Sequence, residues 1–121
     1  MNLVWIAAGG ACGAVARYGV YVALAGRAFP VATVVVNLTG AFALGLVMEG
    51  VVRRPEIDWL VAVAGIGFLG AFTTFSTFSL ETLRLLERGA IGAALLSAAV
   101  NVLGSVVAVW AGMAIMRWID R

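Results

Sequence analysis

Seven consecutive residues, Thr73-Thr74-Phe75-Ser76-Thr77-Phe78-Ser79, place five hydroxyls and two phenyl rings inside an otherwise apolar run. Hydroxyls are neutral donors and acceptors, and an aromatic ring carries a positive edge. Phe75 and Phe78 are three apart, so in a helix they share a face that continues to Glu81 and Thr82. Two ring edges can meet an anion without presenting a full cation that would hold it fast. Ordinary core packing accounts for the same spacing, and spacing alone favours packing.

Other polar residues stand isolated in apolar surroundings. Asn37 offers two donors and an acceptor, with Thr33 one turn before it and Thr39 just after. Taken alone, Asn37 reads as a bond to a neighbouring helix. Ser97, Asn101 and Ser105 recur every fourth residue and form one helical stripe, which either knits helices together or lines a path. Arg17 is expected near the far interface, snorkelling, because a charge at the membrane centre costs about 2.5–3.5 kcal/mol. From there it raises the local anion concentration.

Much chemistry is excluded. The chain has no histidine, and Cys12 is its single cysteine, so His-based acid–base pairs, His-ligated metals and intrachain disulfides are out. No nucleophile–base pair is evident, which argues against an enzyme. The net charge of +2 is too small and scattered for a nucleic-acid surface. Gly65, Gly67 and Gly70 spell G-x-G-x-x-G, but inside a membrane-length run without a βαβ unit, so they read as helix-loosening glycines rather than a nucleotide site.

The elements that must position these groups are membrane helices. Of 121 residues, 64% are hydrophobic and 12% charged, and the mean hydropathy is +1.09. A soluble surface needs about twice that charge. Apolar runs at about 3–24, 31–52, 59–86 and 91–116 each match the ~20 residues a spanning helix requires. The first run lacks a basic leader and a small-residue cleavage site, so it is expected to remain in the mature protein. The fold class is all-α: one four-helix membrane domain over residues 1–121. In the third span, the hydroxyl cluster follows three glycines, and Ser and Thr compete for backbone bonds. That predicts a break near mid-membrane, which must be buried in protein or line a wet cavity.

Arginines are nearly balanced across the membrane. Arg53, Arg54, Arg117 and Arg121 fall on one side, and Arg27, Arg84 and Arg88 on the other, with Arg17 nearby. Orientation by the positive-inside rule needs an imbalance. Charge counting therefore rates insertion both ways, with an antiparallel dimer of the two orientations, about equal to insertion by the weak bias. Small-residue pairs, Gly9 with Gly13 and Ala41 with Gly45, let backbones approach closely but do not say which helix they face.

Together these motifs resemble the Fluc family of fluoride channels, also called CrcB proteins. Residues 9–18 are similar to the family's GGxxGAxxRY, Thr33 and residues 37–40 to its TxxxNxxG, and residues 67–81 to its GxxGxxTTFSTFxxE. The resemblance implies an antiparallel homodimer, or a heterodimer with a paired homologue, carrying two fluoride pathways. It assigns ring edges facing fluoride to Phe75 and Phe78, and the pathway asparagine to Asn37. Arg17 matches the vestibule arginine, Ser76, Thr77 and Glu81 match polar positions along the third helix, and Ser105 matches a pathway serine. Backbone carbonyls of Gly70 and Thr73 are implied to hold a structural sodium ion at the dimer centre. Where the family often has a tyrosine one turn before the serine, this chain has Asn101.

The expected function is passive fluoride export across the cytoplasmic (inner) membrane by a multi-pass protein. Its partners are fluoride, sodium, membrane lipid and a second subunit, with no nucleic acid. The rival is a small multidrug-type cation/proton antiporter. It needs a titratable carboxylate, usually in the first span, and that span has none; Glu49 and Glu81 lie nearer span ends. A purely structural membrane protein would not need Asn37 beside a polar, Phe-paired break.

Overall fold

The computed structural model describes residues 2–121. Among these residues, four helices are long and apolar enough to cross a membrane. The first is Asn2–Ala23, the second Val31–Arg53, the third Val61–Glu87 and the fourth Ile91–Ile119. These bounds lie within three residues of the apolar runs read from the sequence. Short turns join them. Gly89, at φ 73°, ends the third span: its N–H bonds the Leu86 carbonyl and that of Ala90 bonds the Leu85 carbonyl. This six-to-one and five-to-two closure needs a left-handed residue, which glycine adopts without strain.

The spans alternate in direction. Arg17 meets Thr73 and Gly13 meets Phe68, so the first and third run parallel; Asn37 meets Asn101 and Glu49 meets Arg117, so the second and fourth do too. Within each parallel pair the backbones almost touch. A Cβ on Gly9 or Gly13 would collide with the carbonyls of Val63 and Phe68, and one on Gly45 or Gly112 with those of Val109 and Phe42. The small residues thus face helices of their own chain. In lipid there is no hydrophobic drive between helices, so such close packing supplies the attraction. Among the described residues only seven apolar side chains are buried, Val36, Leu69, Phe78 and Leu85 among them. That core would not hold a bundle together in water, but it suits a chain whose outer surface meets lipid.

The third span is interrupted as the hydroxyl cluster predicts. Val61–Leu69 is π-helical, Gly70–Phe72 is α-helical, and Phe75–Glu87 resumes as a second α-helix. Thr73 and Thr74 between them are extended, at φ −78°, ψ 159° and φ −152°, ψ 118°. The wide π turns are not legible in the sequence. They coincide with the glycine-rich stretch, whose backbone is freest to widen. A second π turn, Val100–Gly104, lies in the fourth span beside the break and contains Asn101.

Candidate functional site

The break is held from the second span. Asn37 Nδ2 donates to the Thr74 carbonyl at 3.1 Å, and the Thr74 N–H donates to Asn37 Oδ1 at 2.8 Å. One side-chain amide therefore satisfies both backbone groups of the residue that leaves the helix. Asn37 Nδ2 also donates to Asn101 Oδ1 at 2.8 Å, and Asn101 Nδ2 donates to the Ser97 carbonyl at 2.9 Å. Taken alone, Asn37 reads as a bond to a neighbouring helix, and it makes bonds to two of them. Here both amide hydrogens are engaged within the chain.

Thr74 also starts the next helix. Its Oγ1 accepts the Thr77 N–H at 3.2 Å and donates to Thr77 Oγ1 at 3.0 Å. A Thr N-cap of this kind is worth about 1 kcal/mol. The sequence reading grouped Thr74 with the other hydroxyls and missed the cap, although a threonine directly before an amphipathic run is an N-cap candidate. Ser76 is exposed, 3.4 Å from Thr74 Oγ1.

Two carbonyls are released by this arrangement. The Thr74 N–H, the usual helical partner of the Gly70 carbonyl, goes to Asn37; the Thr77 N–H, the usual partner of the Thr73 carbonyl, goes to Thr74 Oγ1. Hard carbonyl oxygens suit an alkali cation; of the pair that the resemblance implies for sodium, the Thr73 carbonyl already accepts from the Arg17 guanidinium, which leaves it one lone pair. Arg17 does not snorkel away from this region. It is half-buried, and its Nη1 donates to the Thr73 carbonyl at 3.3 Å. The freed carbonyl is the physical reason: it gives the guanidinium a partner inside the bundle.

The phenyl rings of Phe75 and Phe78 touch, with centroids 5.4 Å apart and planes at 61°, an edge-on pair. Phe78 is 8% exposed, whereas Phe75 is 75% exposed. Both line a cavity of about 410 Å³ together with Asn37, Gly70, Thr73, Thr74, Asn101 and Ser105. The sequence-predicted residues Asn37, Phe75, Phe78 and Ser105 are thus brought to one place, next to the break.

Glu81 lies one turn beyond Phe78. Thr33 Oγ1 donates to Glu81 Oε2 at 2.5 Å, and Tyr21 Oη shares a 2.5 Å hydrogen bond with Thr33 Oγ1. Thr33 is fully buried, and Tyr21 has no sequence signal beyond its type. Glu81 also lines a second cavity of about 150 Å³ with Arg27, Arg84 and Arg88. From sequence these arginines served only to count charge across the membrane; the fold gathers them at one mouth. Glu49, at the other end, is ion-paired with Arg53 at 3.1 Å and with Arg117 at 3.0 Å.

The model of the family described as CrcB-like protein, Camphor Resistance (CrcB), matches residues 4–113, most of the chain. The chain belongs to the CrcB family. Curated CrcB relatives extend over the same length. One from Geobacter sulfurreducens is 50% identical, with 96% of this chain and 97% of the relative covered. One from Magnetococcus marinus is 47% identical over 98% and 100%, and one from Acidobacterium capsulatum 40% identical over 95% of each. Each of these three carries the name fluoride-specific ion channel FluC. The carboxylates that the antiporter reading requires are both engaged, Glu49 by two arginines and Glu81 by Thr33. CrcB membership leaves that reading without support.

Proposed function

We propose that this chain is a subunit of a fluoride-selective channel, a transport protein and not an enzyme, that lets fluoride leave the cell passively. The observation that carries the reading is the clamped break, which opens onto a cavity where edge-on phenyl rings stand beside neutral hydroxyl and amide groups. Fluoride is small and tightly hydrated. A path for it must replace water with donors and positive ring edges, yet bind weakly enough for release. Phe75 and Phe78 supply the edges. Ser76, Thr77 and Ser105 supply hydroxyls, and Asn37 keeps the break in the shape that exposes them. Arg17 beside the break and the Arg27, Arg84 and Arg88 cluster beside Glu81 concentrate anions. A negative-inside potential favours anion exit by about 2.3 kcal/mol per charge per 100 mV.

The working unit of this reading is an antiparallel pair. A cavity lined by Asn37, Thr73, Thr74 and Asn101 needs protein or water rather than lipid against it. The exposed ring of Phe75 beside it supports a second subunit there. Balanced arginines support opposite insertion of the two copies. The Gly70 and Thr73 carbonyls of both subunits then hold a sodium ion at the centre, which supplies a fixed positive charge. The test is efflux from liposomes loaded with fluoride or chloride: fast fluoride release with chloride retained supports the channel, and retention of both overturns it.

A further inference from the structure

The four hydrogen bonds that run from Ser97 to Thr74 have a direction fixed at both ends. The Ser97 carbonyl can only accept, so Asn101 must present Nδ2 to it, at 2.9 Å, and Oδ1 to the second span. The Thr74 N–H can only donate and its carbonyl only accept, so Asn37 must present Oδ1 to the first and Nδ2 to the second. Asn37 Nδ2 then meets Asn101 Oδ1 at 2.8 Å. An amide at Asn37 turned over by 180° would set its Oδ1 against Asn101 Oδ1 and against the Thr74 carbonyl. Asn101 and Ser97 are buried, at 6% and 1% exposure, and Asn101 sits in the π turn Val100–Gly104. A π turn re-aims the side chains it contains and often marks a functional position.

We propose that Asn101 is a positioning residue of the pathway: through Ser97 it locks the Asn37 amide in the one orientation that clamps Thr74, and so fixes the break past which the ion moves. This deepens the fluoride reading and rests on it for its transport consequence. Asn101 does not act as a ligand of the ion. Its amide hydrogens face Ser97, one 2.9 Å from the carbonyl and the other towards Oγ at 3.4 Å, its acceptor is given to Asn37, and an acceptor repels fluoride. By using one Asn37 hydrogen it also keeps that donor from holding the ion too tightly.

The test is Asn101→Leu, similar in size and without hydrogen-bonding atoms, in the full-length protein. Hydrogen exchange of the Thr74 backbone amide should accelerate at least tenfold while amides of the second span away from Asn37 keep their exchange rates. Fluoride efflux from liposomes should fall at least tenfold with the assembly intact. Adding Asn101→Leu to Asn37→Ala should slow efflux no further than Asn37→Ala alone. Asn101→Ser, smaller than the native side chain and too short to reach Asn37, should behave the same and covers a leucine variant that fails to fold. Unchanged Thr74 exchange in the serine variant overturns the proposal. So does uniform acceleration across the chain, which is the mark of a merely structural residue, and so does a further loss in the double variant, which would place Asn101 on the ion itself. If the unaltered chain passes no fluoride, the channel reading fails, while the Thr74 exchange result still decides the role of Asn101.

Discussion

Asn37 binds Thr74 from both sides, its Nδ2 at 3.1 Å from the carbonyl and its Oδ1 at 2.8 Å from the N–H. A side chain on one helix thereby replaces the backbone ladder of another. In lipid, an interrupted helix must find such substitutes, because water is not there to supply them. The residue that makes the interruption tolerable also shapes the cavity beside it. Replacing Asn37 by Ala removes both bonds and exposes two backbone groups. Each unsatisfied group costs about 1–3 kcal/mol. Asn37→Ala should therefore lower the unfolding midpoint in detergent and cut fluoride efflux at least tenfold, and Asn37→Asp, which keeps the acceptor for the Thr74 N–H but sets a carboxylate oxygen against the Thr74 carbonyl and Asn101 Oδ1, should not restore the stability.

The two phenyl rings are in contact but differ in surroundings, so their substitutions should differ too. Phe78 is packed and Phe75 projects from the chain. Changing either to Ile should reduce fluoride efflux by about tenfold or more if ring edges meet the ion. Only Phe78→Ile should also destabilise the single chain, by about 1 kcal/mol, the usual cost of an imperfect core swap. Efflux and thermal unfolding measured side by side separate the effects, and unchanged efflux in both variants removes the ring-edge role.

How far the sequence carried is clear from these elements. Four spans, the position of the break and the Phe75–Phe78 pair were legible, because hydropathy, hydroxyl density and helical spacing are local signals. The clamp on Thr74 was not. It joins residues 37 apart in the chain, and the type of Asn37 says only that it needs partners. Arg17 misled for a related reason: the expected cost of burial ignored a carbonyl that the break itself sets free. Arg27 is far in sequence from Arg84 and Arg88, which are one turn apart, and meets them only through the turns.

Close backbone packing makes a separate prediction. Gly13 and Gly45 face carbonyls of Phe68 and Val109 with no room for a Cβ. Gly13→Val and Gly45→Val should each push a helix pair apart and destabilise the bundle by about 1–3 kcal/mol or more, as overpacking does. Gly92, which has open space around it, should accept Ala with little change. Thermal unfolding in detergent distinguishes the three.

The sodium role of Gly70 and Thr73 is tested by removing the ion. Replacing sodium with a large organic cation in the buffer should weaken the dimer or stop fluoride efflux, and adding sodium back should restore it. Because binding to the folded form alone stabilises it by mass action, the unfolding midpoint should rise with sodium concentration. A midpoint and an efflux rate indifferent to sodium would remove the ion from the account.

The most direct measurement of the central claim is anion efflux from liposomes containing the purified protein, with fluoride or chloride as the only small anion and no proton gradient. A helix break that trades hydration for neutral contacts predicts rapid loss of fluoride and retention of chloride at least a hundredfold longer. Equal release of the two anions, or fluoride held inside until a proton gradient is imposed, would contradict it.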